Sequence, residues 1–199
     1  MKPLSFLFAF LLAVPALSRA DAVVGQAAPA FSLPDLDGKT VTLAQYKGKV
    51  VVLEWTNVDC PFVKKHYGSG NIPRLQREAA DKGIVWLSVC SSAPGKEGAE
   101  SAAEIKKTRA DWGAASADYL VDAAGTAGRA YGAKTTPHLF VVDKDGTLRY
   151  AGAIDSIPTA DTADIAKAVP YAENAMLAVA AGKAVQTQAT PPYGCSVKY

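Results

Sequence analysis

Apolar residues along this chain fall into unbroken runs and periodic stretches. Val50-Val51-Val52-Leu53-Glu54-Trp55, Ile84-Val85-Trp86-Leu87-Ser88-Val89 and His138-Leu139-Phe140-Val141-Val142 are almost continuous. Runs of that length without alternation predict strands inside a sheet covered on both faces. Tyr119-Leu120-Val121 predicts a shorter strand. Leu148 to Ala153 predicts a return strand after the turn Asp143-Lys144-Asp145-Gly146. Helical spacing fills the intervals. One helix is expected from Pro61 through Val63, Ile72 and Leu75 towards Ala80, with Gly68-Ser69-Gly70 as its weak spot. Others carry apolar marks at Ala102, Ile105, Ala110 and Trp112, and over Ala124 to Tyr131. A closing helix is expected over Asp161 to Gly182, with Ala166, Val169, Ala172, Met176 and Val179 on one face.

This alternation predicts an α/β fold with a mixed central sheet, helices on both faces, and an antiparallel edge added by the hairpin. Before it, Val23 to Leu36 reads as an irregular lead-in, Asp37-Gly38-Lys39 as a turn, and Thr40 to Leu43 as an alternating stretch. The expected organisation is a leader over 1–20, one domain over 21–183, and a C-terminal tail over 184–199. The leader begins with Met1-Lys2, continues through the apolar run Leu4 to Leu17, and ends on Ser18-Arg19-Ala20. That pattern predicts a signal peptide and export, periplasmic or beyond, with a retained membrane anchor as the alternative. No later segment is apolar enough to predict a membrane span.

Composition narrows the partners. The chain has 21 basic and 19 acidic residues, and loss of Lys2 and Arg19 with the leader would leave 19 of each. A neutral chain offers no electrostatic footprint for nucleic acid. Hydrophobic residues at 49% and charged residues at 20% are enough for a full core, so no disulfide is needed for folding. Three cysteines, Cys60, Cys90 and Cys195, leave three pairings open.

Of these, Cys60 is the best placed for chemistry. It stands between a buried strand and a helix opened by Pro61, where the helix field favours negative charge on sulfur. Lys64 and Lys65 lie about one turn along, read either as added positive field or as a solvated face. Asp59 would oppose a thiolate. Cys90 ends a buried strand and reads as a small core residue. Trp55, Trp86 and Trp112 also read as core. His66 and His138 stand without convergent ligands, so neither a metal site nor any cofactor is expected.

The lead-in Gly25, Ala28-Pro29, Phe31, Leu33, Asp35, Gly38-Lys39, Val41, Leu43 and Lys47-Gly48-Lys49 carries a family resemblance. So do Cys60-Pro61-Phe62-Val63-Lys64-Lys65-His66-Tyr67 and Thr136-Pro137. Together they resemble the redoxins, the alkyl hydroperoxide reductase and thiol-specific antioxidant branch of the thioredoxin-like superfamily. The resemblance implies a thioredoxin-like fold, an attacking Cys60, and a cis Pro137 shaping the groove beside it. It also draws in Thr56 and Asn57, near the position where peroxiredoxins carry a Thr or Ser. Departures are plain. Val63 replaces the second cysteine of Cys-x-x-Cys, Leu53 stands where peroxiredoxins carry a Pro, and Lys64 replaces the second cysteine of the copper-assembly members. Cys195, in Tyr193-Gly194-Cys195-Ser196-Val197-Lys198-Tyr199, is then the candidate resolving cysteine. Three functions follow: thiol–disulfide oxidoreductase, peroxiredoxin-type peroxidase, or redox-silent binding module. The first two imply a thiol, disulfide or peroxide substrate and a reducing partner protein.

Overall fold

The computed structural model describes residues 22–199, and the expected leader over 1–20 lies outside the described residues. The lead-in holds a small antiparallel hairpin that the sequence reading did not anticipate, β1 (Ser32–Pro34) against β2 (Thr40–Thr42). Its turn is pinned by Asp35 Oδ1, which accepts from the N–H groups of Asp37 and Lys39. The elements that follow are β3 (Val51–Trp55), α1 (Pro61–Gly68), α2 (Asn71–Asp81), β4 (Val85–Cys90), α3 (Ala102–Asp111), β5 (Asp118–Val121) and α4 (Thr126–Tyr131). After them come β6 (Thr135–Thr136), β7 (His138–Val142), β8 (Leu148–Gly152), α5 (Tyr171–Ala180) and β9 (Cys195–Ser196).

Five strands form the central sheet in the order β5-β4-β3-β7-β8. β3, β4 and β5 run parallel, while β7 is antiparallel to both β3 and β8. This is the mixed α/β sheet expected from the alternation, in the thioredoxin-like form that the resemblance implied. The strands are apolar without alternation because both faces are covered. Val52 meets a core formed with Tyr67, Ile72, Leu75 and Met176, under α1, α2 and α5. Val51, Leu53 and Trp55 point the other way, to Phe31, Leu33, Val41 and Tyr131 from the hairpin and α4. Cys90 lies buried beside Val58, Ile105 and Tyr119, in the core position read for it.

Two expected helices are shorter than the periodicity suggested, and proline explains both. The helix after Cys60 divides at Ser69-Gly70. Gly70 takes the left-handed conformation (φ 76°) as cap of α2, and Pro73 falls in that helix's first turn. In a continuous helix Pro73 would lack the N–H owed to residue 69; in a first turn nothing is owed. The closing helix likewise begins only at Tyr171, after Pro170, with a separate 3₁₀ turn over Thr162–Lys167. Ala172, Met176 and Val179 are buried as expected, but Val169 is half exposed and Ala166 lies outside the core.

Candidate active site

Cys60 caps the N-terminus of α1, at the carboxyl end of the central strand β3. It is fully buried, and its Sγ donates to the Thr136 carbonyl at 3.0 Å. Thr136 precedes Pro137 through a cis peptide bond. The tail completes this arrangement. β9 pairs antiparallel with β6, setting Cys195 opposite Thr136, the residue whose carbonyl accepts from Cys60 Sγ. All three cysteines are free thiols. Cys60, Pro137 and Cys195 therefore meet at one residue, Thr136, across 135 positions of sequence. Cys90 is bonded elsewhere, to the Gly98 carbonyl at 3.3 Å.

Gly194 makes the close approach of the tail feasible. Its φ is 130°, and a Cβ there would lie 2.0 Å from the Thr136 carbonyl oxygen. Downstream, Val197 N–H donates to Lys134 O, and Lys198 O accepts from Ala93 N–H. The Tyr199 hydroxyl donates to Ala133 O, with the Arg129 guanidinium over its ring. The segment read as a C-terminal tail is thus a strap fixed on both sides of Cys195.

Thr56 and Asn57 are buried in the loop before Cys60. The Asn57 carboxamide orders that loop, donating to Glu97 O and accepting from Asp59 N–H. The Thr56 hydroxyl has no hydrogen-bond partner. Of the two lysines only Lys64 fits the solvated-face reading. Lys64 is exposed and pairs with Asp59 at 3.6 Å, whereas the Lys65 side chain is fully buried, 3.9 Å from Asp155. Nor is His66 alone, since its ring meets Tyr193 and Asp155. Burial pulls its pKa down to about 4, so the imidazole is neutral.

The Cys195 thiol is pushed up to about 12, by burial first and then by the neighbouring Cys60. A thiol held protonated is a poor nucleophile.

The sequence reading passed over Glu54, although a lone acid inside an apolar run is itself a signal. Glu54 is fully buried on β3, and its Oε2 accepts from Tyr67 Oη, Trp86 Nε1, Ser88 Oγ and Gln76 Nε2. Burial raises its pKa from 4.5 to about 7. Below pH 4.5 both the folded and unfolded chains hold this proton; between 4.5 and 7 only the folded chain does. The stabilisation is present at low pH and is lost as pH rises through about 7, a change of about 3 kcal/mol. Glu54→Gln should remove that slope. Urea midpoints measured from pH 4.5 to 8 check it, and a wild-type slope retained in the variant would refute the assignment.

The family profile described as AhpC/TSA family matches residues 24–151. Among solved structures, a hypothetical protein of Sinorhizobium meliloti is 26% identical, with TM-score 0.74 over 90% of this chain and 96% of that one. An uncharacterised conserved protein of Geobacillus kaustophilus is 27% identical, with TM-score 0.73 over 89% and 92%. The thioredoxin domain of a thiol-disulfide oxidoreductase from Bacteroides vulgatus shares the fold at 21% identity, with TM-score 0.53 over 74% and 97%. Comparison with curated proteins finds no match. The match spans Cys60 and Pro137 but ends before the strap that carries Cys195. With its mixed five-stranded sheet and Cys60 at the strand-to-helix junction, this chain belongs to the AhpC/TSA family, the redoxins of the thioredoxin-like superfamily.

Proposed function

We propose that this protein is an exported thiol–disulfide oxidoreductase in which Cys60 attacks and Cys195 resolves. One observation supports the reading: Cys60 Sγ bonds the carbonyl of Thr136, and the strap pairs Cys195 with that same residue. The Cys60 thiolate attacks one sulfur of a substrate disulfide, forming a mixed disulfide and expelling the other sulfur as a thiolate. Cys195, giving up its proton, then attacks Cys60 Sγ and releases the second substrate thiolate. The substrate disulfide has gained two electrons, and the chain holds a Cys60–Cys195 bond. A reducing partner protein returns the pair to dithiol, entering at Cys195, the partly exposed sulfur.

Peroxide reduction is the second reading, and the burial of Cys60 favours it. A hydroperoxide is small enough to reach a covered sulfur, whereas a folded protein's disulfide needs the strap moved. In this reading the Cys60 thiolate takes the distal oxygen of a hydroperoxide, releasing an alkoxide and leaving a sulfenic acid. Cys195 condenses with it, expelling water.

Peptide mapping of alkylated protein under non-reducing conditions, before and after one equivalent of oxidant, tests the pair. The expected result is a Cys60–Cys195 bond that appears on oxidation and disappears with a dithiol. A permanent Cys90–Cys195 bond, or a Cys60 that never reacts, would overturn it and favour the redox-silent module. Hydrogen peroxide and a small disulfide as parallel oxidants separate the two chemistries.

A further inference from the structure

We propose that Tyr193 is the positioning residue that holds the Cys195 strap closed over Cys60, through a directed hydrogen-bond chain running Asn71, His66, Tyr193, Asp155. This rests on Cys60 and Cys195 being the redox pair. Asn71 Nδ2 donates to His66 Nδ1 at 2.9 Å, which leaves the neutral ring's proton on Nε2. That nitrogen lies 3.2 Å from the Tyr193 hydroxyl, which in turn donates to Asp155 Oδ1 at 2.5 Å. Every donor in the chain thus has an acceptor, and the hydroxyl is its central link.

Burial gives the link its force. The His66 ring and the Asp155 carboxylate are both buried, and Tyr193 reaches them from the strap. When the strap lifts, the His66 Nε2 proton and Asp155 Oδ1 lose the hydroxyl that links them, so the closed state is favoured. The Tyr193 ring adds an edge contact with Phe62, centroids 5.8 Å apart, two residues beyond Cys60 on α1. Burial and the neighbouring carboxylate push the hydroxyl well above its usual range, so it stays a donor. Between this anchor and Cys195 stands only Gly194, pressed against Thr136 O. Displacement of Tyr193 is transmitted directly to the resolving sulfur.

The strap's other anchors flank this cluster: Thr190 upstream, bonded to Ala151, Ala153 and Tyr150, and Val197, Lys198 and Tyr199 downstream. Loss of the Tyr193 hydroxyl should therefore loosen the stretch between Thr190 and Val197 that carries Cys195 while both flanks stay fixed.

Tyr193→Phe keeps the ring and deletes the hydroxyl. Two rates are read in reduced protein: alkylation of Cys60 by iodoacetamide, and closure of the Cys60–Cys195 bond after one equivalent of hydrogen peroxide. Alkylation should rise and closure should fall, each by roughly tenfold, because the strap uncovers one sulfur and misplaces the other. Buried Cys90 is the internal control, since general loosening of the fold would raise its alkylation in step with that of Cys60. Unchanged Cys60 rates, or parallel increases at Cys60 and Cys90, would overturn the proposal. If the wild-type chain forms no Cys60–Cys195 bond, the redox pairing fails, and the alkylation ratio still decides whether Tyr193 holds the strap.

Discussion

Cys60→Ser should reduce thiol-dependent turnover to background, a loss of roughly 10³-fold or more, with the folded core intact. The serine oxygen occupies the place of the sulfur and can donate to the same Thr136 carbonyl, so the buried contact survives. What is lost is the chemistry. An alcohol at this position has no accessible anion near neutral pH, forms no disulfide and is not returned by a reductant. Cys195→Ser should behave differently. Cys60 can still complete one attack, leaving one equivalent of mixed disulfide or sulfenic acid per chain, but the second step is missing and turnover stalls. Burst assays with mass analysis of the trapped species distinguish the two variants. Full turnover in Cys60→Ser, or unimpaired cycling in Cys195→Ser, would sink the two-cysteine assignment.

The difference between these variants is written in the fold rather than in any local motif. Val63, the position that closes a local Cys-x-x-Cys ring in thioredoxins, is buried here, and the second sulfur arrives from a strand 135 residues away. Much of the frame was legible in the sequence because it depends on local periodicity. The apolar runs of β3, β4 and β7 mark strands covered on both faces, and Pro61 marks the start of α1. The candidate pair of Cys60 and Cys195 was also legible, through a family resemblance and by elimination of Val63. What was not legible depends on partners distant in sequence. Lys65 and Lys64 are indistinguishable as residue types, yet one is buried against Asp155 and the other exposed beside Asp59. That distinction follows from the rotation of α1 against the loop after β8. Tyr193 stood in the quoted tail motif, but nothing local tells a latch from a surface aromatic. Pro73 and Pro170 were visible and bore directly on the helix boundaries. The apolar spacing around each of them was regular enough to outweigh them in the reading, although a proline inside a helix costs about 3 kcal/mol.

Asp155→Ala should be the most destabilising single change near the site, by about 3–5 kcal/mol, because it strips a buried cation of its counter-charge. Asp155 Oδ1 accepts from Ile157 N–H and Tyr193 Oη, while Oδ2 accepts no hydrogen bond and faces Lys65 Nζ and His66 Nε2 at 3.9 and 3.8 Å. Lys65 is fully buried, and its other contacts are the Ile157 carbonyl at 3.4 Å and the Tyr193 ring, 5.9 Å from its centroid. Without Asp155 its ammonium is a buried charge with one acceptor, and the fold must hydrate or neutralise it. For a domain of this size the loss should lower Tm by on the order of 10 °C. Two further variants separate charge from hydrogen bonding. Asp155→Asn retains an acceptor towards Tyr193 while losing the charge, so it should destabilise the fold yet leave Cys60 covered. Adding Lys65→Met to Asp155→Ala removes the stranded cation and should recover part of the loss, which a double-mutant cycle measures as coupling between the two positions. A simple sum of the two single effects would show that Lys65 and Asp155 do not act as a pair. In the coupled case, one carboxylate serves two ends with its two oxygens, Oδ2 balancing the charge beneath α1 and Oδ1 anchoring the strap above Cys60.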